Sequence, residues 1–308
     1  MLPIPYFRSF VLKKSISKIQ TGQILTTIFQ KLTIFLLLFV TITLYSNDKI
    51  TLGLTGVTLK EDIVTLMNFK KYLAQHANIE VNLKFAKSYS IMESFITNES
   101  VDFAYVCGST YVNLDKQHHV ELLAIPTVNQ KTLYSALIIT KKQQPFKGLF
   151  ELKDTIFAMS DPDSNSGSLV PFYELIQKGY NKDKFFKKIV FTYDHGESIQ
   201  AVLSGFVDAA SVDSMIYQAY INKNPHAKEE LKIIDQFGDY PIPPFIIRKN
   251  INQDIKTNLR NALINMHKDP FGKAILQAMA IDNFIKPHNI SYDKINRVKE
   301  FILNHKTK

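Results

Sequence analysis

The sequence has 308 residues, 45% of them hydrophobic and 21% charged, which is typical of a globular protein and argues against general disorder. A chain of this length can bury one large core or two medium ones. The formal net charge is +9, but five of the 37 cations lie in residues 1–46, which contain no acid. The other 32 cations face 28 acids, a balance of only +4 without a dense Lys/Arg stripe, so nucleic-acid binding is not predicted.

The N-terminal segment has the layout of a secretory signal. Its cations precede an apolar run at 32–44, which is followed by the polar residues Tyr45, Ser46, Asn47 and Asp48. Because a membrane-spanning helix needs about 20 apolar residues, an uncleaved membrane anchor is the second interpretation. The sequence therefore predicts export to the periplasm, with residues 1–46 as signal peptide or anchor.

The first half of the remaining chain alternates strands and helices. Strands are predicted at 49–57, 79–85 and 101–106, and helices at 61–75 and 89–96. This βαβαβ order indicates a mostly parallel sheet covered on both faces. Two apolar strands follow at 122–128 and 133–140.

A second α/β pattern starts after the polar passage at 141–147. Its predicted strands are 155–159, 189–193, 207–212 and 231–235, and its helices are 169–178, 198–204 and 214–222. The Pro-rich segment YPIPP at 240–244 leads into a strand at 245–248 and helices at 253–267, 270–279 and 292–304. Crossings near 140 and 243 predict two α/β lobes joined by two hinge strands, one lobe at 47–140 with 246–308 and the other at 141–245. A ligand is then expected in the cleft between them.

A serine-rich turn is the most informative stretch of the sequence. In MSDPDSNSGSLVP, at 159–171, a strand ends and Ser164, Asn165 and Ser166 precede an apolar helix. Hydroxyl groups and unpaired backbone N–H groups at a helix start form an anion site, favoured by the helix dipole. The alternative is that Ser166 or Ser168 simply caps the helix.

A second junction of this kind lies in TYDHGESIQAVLSGFVD, at 192–208. There His195 and Ser198 stand where a predicted strand gives way to a helix, so both could face the same cleft. A lone histidine is more often a surface or core residue. Beside the serine-rich turn, however, His195 becomes a candidate hydrogen-bond donor to an oxyanion.

Taken in order, these motifs resemble a known family. DPDSNSGSLVP, then H-x-x-S-x-x-A-V-x-x-G-x-V-D from His195, then PPFIIRKN at 243–250 are similar to phosphate/phosphite/phosphonate ABC-transporter binding proteins. VDFAYVCGSTYV at 101–112 adds to the likeness, which covers about residues 49–285. The resemblance implies a two-lobed type II periplasmic binding protein that carries a small oxyanion, needs no cofactor and acts as a monomer.

The resemblance also implies which residues touch the ligand. The serine turn would hold the phosphoryl oxygens, the histidine and a first-lobe tyrosine would add donors, and the strand end near 107–111 would add contacts. The implied ligand-binding residues are Tyr89, Cys107, Tyr111, Ser164, Asn165, Ser166, His195 and Ser198. Pro243 stands where amino-phosphonate binders have an acid, so a smaller oxyanion without an amine is expected.

Cys107 leaves one alternative open. In arsenite-sensing relatives a cleft cysteine binds the metalloid, and thiolates prefer soft ions; the other interpretation is a buried, inert thiol. The partner is an ABC permease or, alternatively, a membrane sensor kinase. An enzyme is not predicted, because the sequence has no nucleophile elbow, P-loop or dinucleotide-binding glycine motif.

Overall fold

The computed structural model describes residues 48–56 and 63–305, so the predicted leader at 1–46 lies outside the described residues. Within the described ranges, no helix is both long and apolar enough to cross a membrane. Residues Lys49–Lys308 group into one compact unit. Two separate sheets organise this unit, each with helices on both faces.

The first sheet has six strands in the order β11-β4-β10-β3-β1-β2. Strands β1, β2 and β3 are parallel, while β10 and β11 run antiparallel to their neighbours. The strands are β1 (Lys49–Leu54), β2 (Glu80–Phe85), β3 (Phe103–Tyr105), β4 (Val120–Thr127), β10 (Phe245–Arg248) and β11 (Asn283–Ile285). Its helices are α1 (Ile63–Ala77), α2 (Tyr89–Thr97), α3 (Gly108–Lys116), α9 (Gln253–Asn265) and α10 (Pro270–Ala278).

The second sheet has five strands in the order β7-β6-β8-β5-β9. Its strands are β5 (Leu133–Lys141), β6 (Ile156–Met159), β7 (Lys188–Phe191), β8 (Ala209–Asp213) and β9 (Leu231–Pro241). Its helices are α4 (Val170–Gln177), α5 (Lys182–Phe185), α6 (His195–Ser204), α7 (Ser214–Lys223) and α8 (Pro225–Glu230). A π-helical turn, Asn165–Leu169, directly precedes α4.

Both faces of each sheet are buried. Successive side chains of a strand point to opposite faces, and here helices cover both. In the second sheet Leu137 and Ile139 of β5 pack towards α6 and α7, whereas Ile138 packs with Phe157 on the opposite face. In the first sheet α1, α9 and α10 cover one face, and α2 and α3 cover the other. The predicted two-lobed α/β fold is confirmed, although both sheets are mixed rather than mostly parallel.

The first crossing between the sheets differs from the prediction. Strand β5 was expected in the first lobe, but it pairs antiparallel with β8 and β9 of the second sheet. The chain crosses at 128–132, where Asn129 and Gln130 both have positive φ and Val128 and Lys131 exchange backbone hydrogen bonds of 3.0 Å. This is the geometry of a two-residue turn, which reverses the chain without a long linker. The return crossing, between β9 and β10, lies at 242–244.

The last helix, α11 (Asp293–Asn304), packs on elements of both lobes. Its buried residues Ile295 and Val298 share one cluster with Val112 of α3 and Val170 of α4. Gly108, at the start of α3, allows this close approach, because a Cβ there would lie 2.5 Å from Ile295 Cδ1. Helix α3 is not predicted by the sequence pattern, because GSTYVNLDK has no clear apolar stripe.

Candidate functional site

The serine-rich turn follows β6 and is almost completely buried. Ser164, Asn165, Ser166 and Ser168 are each at most 1% exposed. Ser164 caps the π-helical turn, because its Oγ accepts a hydrogen bond from Gly167 N at 3.1 Å. A serine cap therefore exists, but it is formed by Ser164 and not, as the alternative expected, by Ser166 or Ser168.

The other groups of this turn point in different directions. Ser168 Oγ donates to the Asp161 carbonyl at 2.5 Å, and Ser211 Oγ of β8 donates to the Ser166 carbonyl at 2.6 Å. Asn165 Nδ2 donates to Tyr134 OH at 2.9 Å. Among the described residues, Asn165 Oδ1 is buried without a hydrogen-bond partner. The turn is thus held rigidly from several sides while keeping polar atoms at its centre.

Gly167 lets the end of β6 lie against this turn. A Cβ at that position would lie 2.1 Å from Ser160 Oγ, which would have to move, and 3.1 Å from Ser160 N, which is a tight contact. The glycine of the S-G-S sequence therefore allows this close packing, since a side chain would displace Ser160 or the turn.

His195 is the first residue of α6 and is 2% exposed. Burial lowers its pKa to about 3, so the imidazole is neutral near pH 7. Asp213 N donates to Nδ1 at 3.2 Å, which makes Nδ1 an acceptor and leaves the hydrogen on Nε2. Nε2 lies 3.4 Å from Ser160 Oγ, beside the serine-rich turn. The structure thus presents His195 as a neutral donor through Nε2.

Ser198 lies one turn further into α6 and is completely buried. Its Oγ lies 2.7 Å from Thr192 Oγ1 and donates to the Asp194 carbonyl at 3.2 Å. These contacts hold the strand-to-helix junction of its own lobe. Its assignment as a ligand contact stays a prediction.

The first lobe brings Tyr89 and Cys107 to the same place. Tyr89 begins α2, and its backbone N donates to Asp161 Oδ2 at 3.0 Å. Burial is the main cause that raises the pKa of Tyr89 well above its ordinary value, with Cys107 and Asp161 adding to the effect. Cys107 Sγ accepts from Asn165 N at 3.5 Å, and burial raises the pKa of its thiol. Two of the three predicted first-lobe residues therefore adjoin the serine-rich turn.

Tyr111 lies at the end of the first turn of α3 and faces another way. Its ring packs edge-on against Tyr292 with centroids 4.8 Å apart. Both rings line a surface pocket of about 340 Å³ beside the start of α11. Its predicted ligand contact is untested, and its observed contacts are with the C-terminal helix.

Two acids and one tyrosine of this buried cluster are not among the site residues that the sequence predicts. Tyr134, near the start of β5, accepts from Asn165 and is 3% exposed. Asp161 and Asp213 are each 2% exposed, and burial raises the pKa of both, that of Asp213 to about 7. Asp213 is the last residue of β8 and caps α7, so its strand–acid–helix pattern is the same signal that pointed to the other two junctions.

The polar groups of this cluster suit an anion with few charges. Tyr89, Tyr134, Ser166 and His195 are neutral, and the start of the π-helical turn adds the partial positive charge of a helix N-terminus. Such donors bind oxyanions without a counter-charge. The buried acids oppose any further negative charge, which favours a singly charged ligand.

Comparison with known proteins identifies the family. Residues 58–292 match the family model described as "ABC transporter, phosphonate, periplasmic substrate-binding protein". The chain belongs to this family. Its curated relatives include the phosphonates-binding periplasmic protein of Escherichia coli, 26% identical over 216 residues, which are 68% of this chain and 64% of that protein. A probable ABC transporter phosphite-binding protein of Prochlorococcus marinus, PhnD1, is 23% identical over 75% of this chain and 81% of its own length.

Solved structures show the same fold. A binding-protein component of an ABC phosphonate transporter from Pseudomonas aeruginosa superposes with a TM-score of 0.76 at 21% identity, covering 84% of this chain and 87% of its own. PhnD1 of Prochlorococcus marinus, solved in complex with methylphosphonate, gives a TM-score of 0.74 at 21% identity, covering 83% and 98%. The resemblance stated from the sequence motifs is confirmed. Members of the family are periplasmic transport proteins and not enzymes.

Proposed function

We propose that this protein binds a small phosphorus oxyanion between its two lobes and delivers it to an ABC permease. The observation that carries the proposal is the meeting of three separate junctions at one buried cluster. The serine-rich turn, His195 at the start of α6 and Tyr89 at the start of α2 all converge there. Family membership adds the transport role and supports a periplasmic location.

Ligand contacts are assigned from this geometry. We assign Ser166, His195 and Tyr89 as direct donors, with Tyr134 held by Asn165 as a further donor. Each is neutral, so they suit an oxyanion that carries one negative charge better than a dianion. Pro243 supplies no acid for an amine, which favours methylphosphonate, phosphite or phosphate over an amino-phosphonate.

Lobe closure is part of the same proposal. The two crossings, at 128–132 and 242–244, are the only connections between the sheets before the C-terminal helix in the described part of the chain. We place the hinge there, so the lobes approach each other over the ligand. Residues 133–241 would form the second lobe in this proposal.

The arsenite interpretation of Cys107 receives no further support from its surroundings. Soft metal ions bind the thiolate, whereas burial raises the pKa of this thiol and so favours its neutral form. The cysteine also accepts a hydrogen bond from Asn165 N at 3.5 Å, which gives it a role in packing the turn.

A thermal-shift screen tests the proposed function. The purified protein is melted with methylphosphonate, phosphite, phosphate, 2-aminoethylphosphonate, sulfate and arsenite. Specific binding to the folded state stabilises it by mass action, by about 2.7 kcal/mol at a ligand concentration 100 times Kd, and so raises the melting temperature. We expect the largest shift with methylphosphonate or phosphite. A shift with arsenite alone, or with none of these ions, would refute the proposal.

A further inference from the structure

The first backbone N–H of α2, in the first lobe, donates a hydrogen bond to an acid of the second lobe. The first N–H groups of a helix have no partner within the helix. Ser88 Oγ accepts from Ile91 N at 3.3 Å, which satisfies one of them. Tyr89 N instead donates to Asp161 Oδ2 at 3.0 Å, across 72 positions of sequence. A carboxylate at this end of a helix is favoured by the helix dipole as well as by the hydrogen bond.

Asp161 is fixed in its own lobe by the serine-rich turn. Its Oδ1 accepts from Asp163 N at 2.9 Å. Its carbonyl accepts from Ser168 Oγ at 2.5 Å and from Ser164 N at 3.0 Å. The carboxylate therefore has one oxygen committed to each lobe, and its position depends on that of the turn.

Two neighbouring contacts join the lobes beside it. Ser109 Oγ donates to the Asp163 carbonyl, and Asn165 N donates to Cys107 Sγ at 3.5 Å. All the second-lobe partners lie within residues 161–165, the stretch that also forms the anion site. Of these contacts, only that of Asp161 involves a charged group.

We propose that Asp161 is a positioning residue that latches the two lobes together over the bound oxyanion. This inference rests on the proposed function, since it assigns a device for closing that same site. When the lobes meet, Asp161 draws the start of α2 onto the serine-rich turn and so places Tyr89 beside Ser166. Because the contact forms only after the lobes approach, it slows ligand release rather than speeding the first encounter.

If Asp161 is a latch, its loss should raise the rate constant of ligand dissociation and leave that of association almost unchanged. In Asp161→Asn one carboxylate oxygen becomes an amide nitrogen that cannot accept, so only one of Tyr89 N and Asp163 N keeps its partner. The free energy of a hydrogen bond to a charged group corresponds to a change of about ten- to a hundred-fold in an equilibrium or rate constant. Stopped-flow measurement with methylphosphonate should show dissociation faster by about that factor in Asp161→Asn and Asp161→Ala, with association within about three-fold of the parent.

Asp208→Ala is the matched control for Asp161→Ala. Its Oδ2 also accepts a backbone hydrogen bond, from Ile156 N at 2.7 Å, but both residues belong to the second lobe. We expect this variant to lose a similar hydrogen bond and a similar amount of folding stability without a change in the dissociation rate. Equal acceleration of release in Asp208→Ala and Asp161→Ala would mean that any loosening of the lobe speeds release, and would overturn the latch.

Hydrogen exchange of the Tyr89 amide tests the contact directly. With and without methylphosphonate, this amide should exchange faster in Asp161→Ala than in the parent, while the Met92 amide, bonded to Ser88 O within α2, reports any change in the helix itself. Equal Tyr89 exchange in both proteins under both conditions would overturn the latch. If the parent binds no oxyanion, the proposed function fails, whereas normal oxyanion binding with unchanged release in Asp161→Ala refutes the latch alone.

Discussion

Replacing the buried acid Asp213 by asparagine should make the protein more stable at alkaline pH. Asp213 is 2% exposed at the end of β8, and its Oδ1 accepts from Met215 N at 2.7 Å and Ile216 N at 3.3 Å. Asparagine caps a helix about as well as aspartate, so Asp213→Asn keeps this role. The change removes only the ability to ionise.

The size and sign of the effect follow from the pKa. Burial raises the pKa of Asp213 from 3.8 to about 7, so between these values the folded protein holds a proton that the unfolded chain has lost. Stability therefore falls as pH rises from about 4 to about 7 and stays lower above it. At 1.36 kcal/mol for each pKa unit the loss is roughly 4 kcal/mol as an upper limit.

Urea unfolding at pH 4.5 and pH 8 measures this difference. We expect Asp213→Asn and the parent to have similar free energies of unfolding at pH 4.5, and the variant to be more stable by about 1–4 kcal/mol at pH 8. Asp208→Asn, whose carboxylate is only half-buried, serves as the control. The same stability difference between Asp213→Asn and the parent at both pH values would refute the reasoning.

Three further substitutions test the site. Ser166→Ala and His195→Ala should each weaken methylphosphonate binding by about ten- to a hundred-fold in calorimetric titration, because each removes a hydrogen bond to a charged ligand; unchanged affinity in both would place the ligand elsewhere. Cys107→Ser should leave that affinity within a few-fold, and a loss of binding would assign the thiol a direct role. Gly167→Ala should lower the free energy of unfolding by about 1–3 kcal/mol, because its Cβ would displace Ser160; an unchanged urea midpoint would contradict that packing.

Most of the fold could be predicted from hydrophobic periodicity. The strand at 245–248 and the helix start at Tyr89 agree with the structure to the residue. The lobe assignment of β5 could not be predicted in this way, since both faces of that strand are apolar in either sheet. The turn at Asn129 and Gln130 marks the true crossing between the lobes, but it contains no glycine and so lacks the usual sequence signal of a tight turn.

The site was predictable where polar residues follow a strand directly. This pattern identified the serine-rich turn and His195, and the same pattern at Asp213 was available but not used. Tyr134 could not be found because it lies on a strand that was placed in the wrong lobe. The role of Asp161 depends on a backbone N–H contributed from 72 residues away, which no local pattern encodes.

Calorimetric titration of the purified protein with methylphosphonate and with phosphite tests the central claim most directly. Three junctions from two lobes supply neutral donors to one buried cluster, so at least one of these ions should bind saturably with one site per chain. Sulfate, which unlike the phosphorus oxyanions has no protonated, singly charged form near neutral pH, should bind more weakly, because Asp161 and Asp213 oppose a dianion. No saturable heat with either phosphorus oxyanion, or tighter binding of sulfate, would contradict the account.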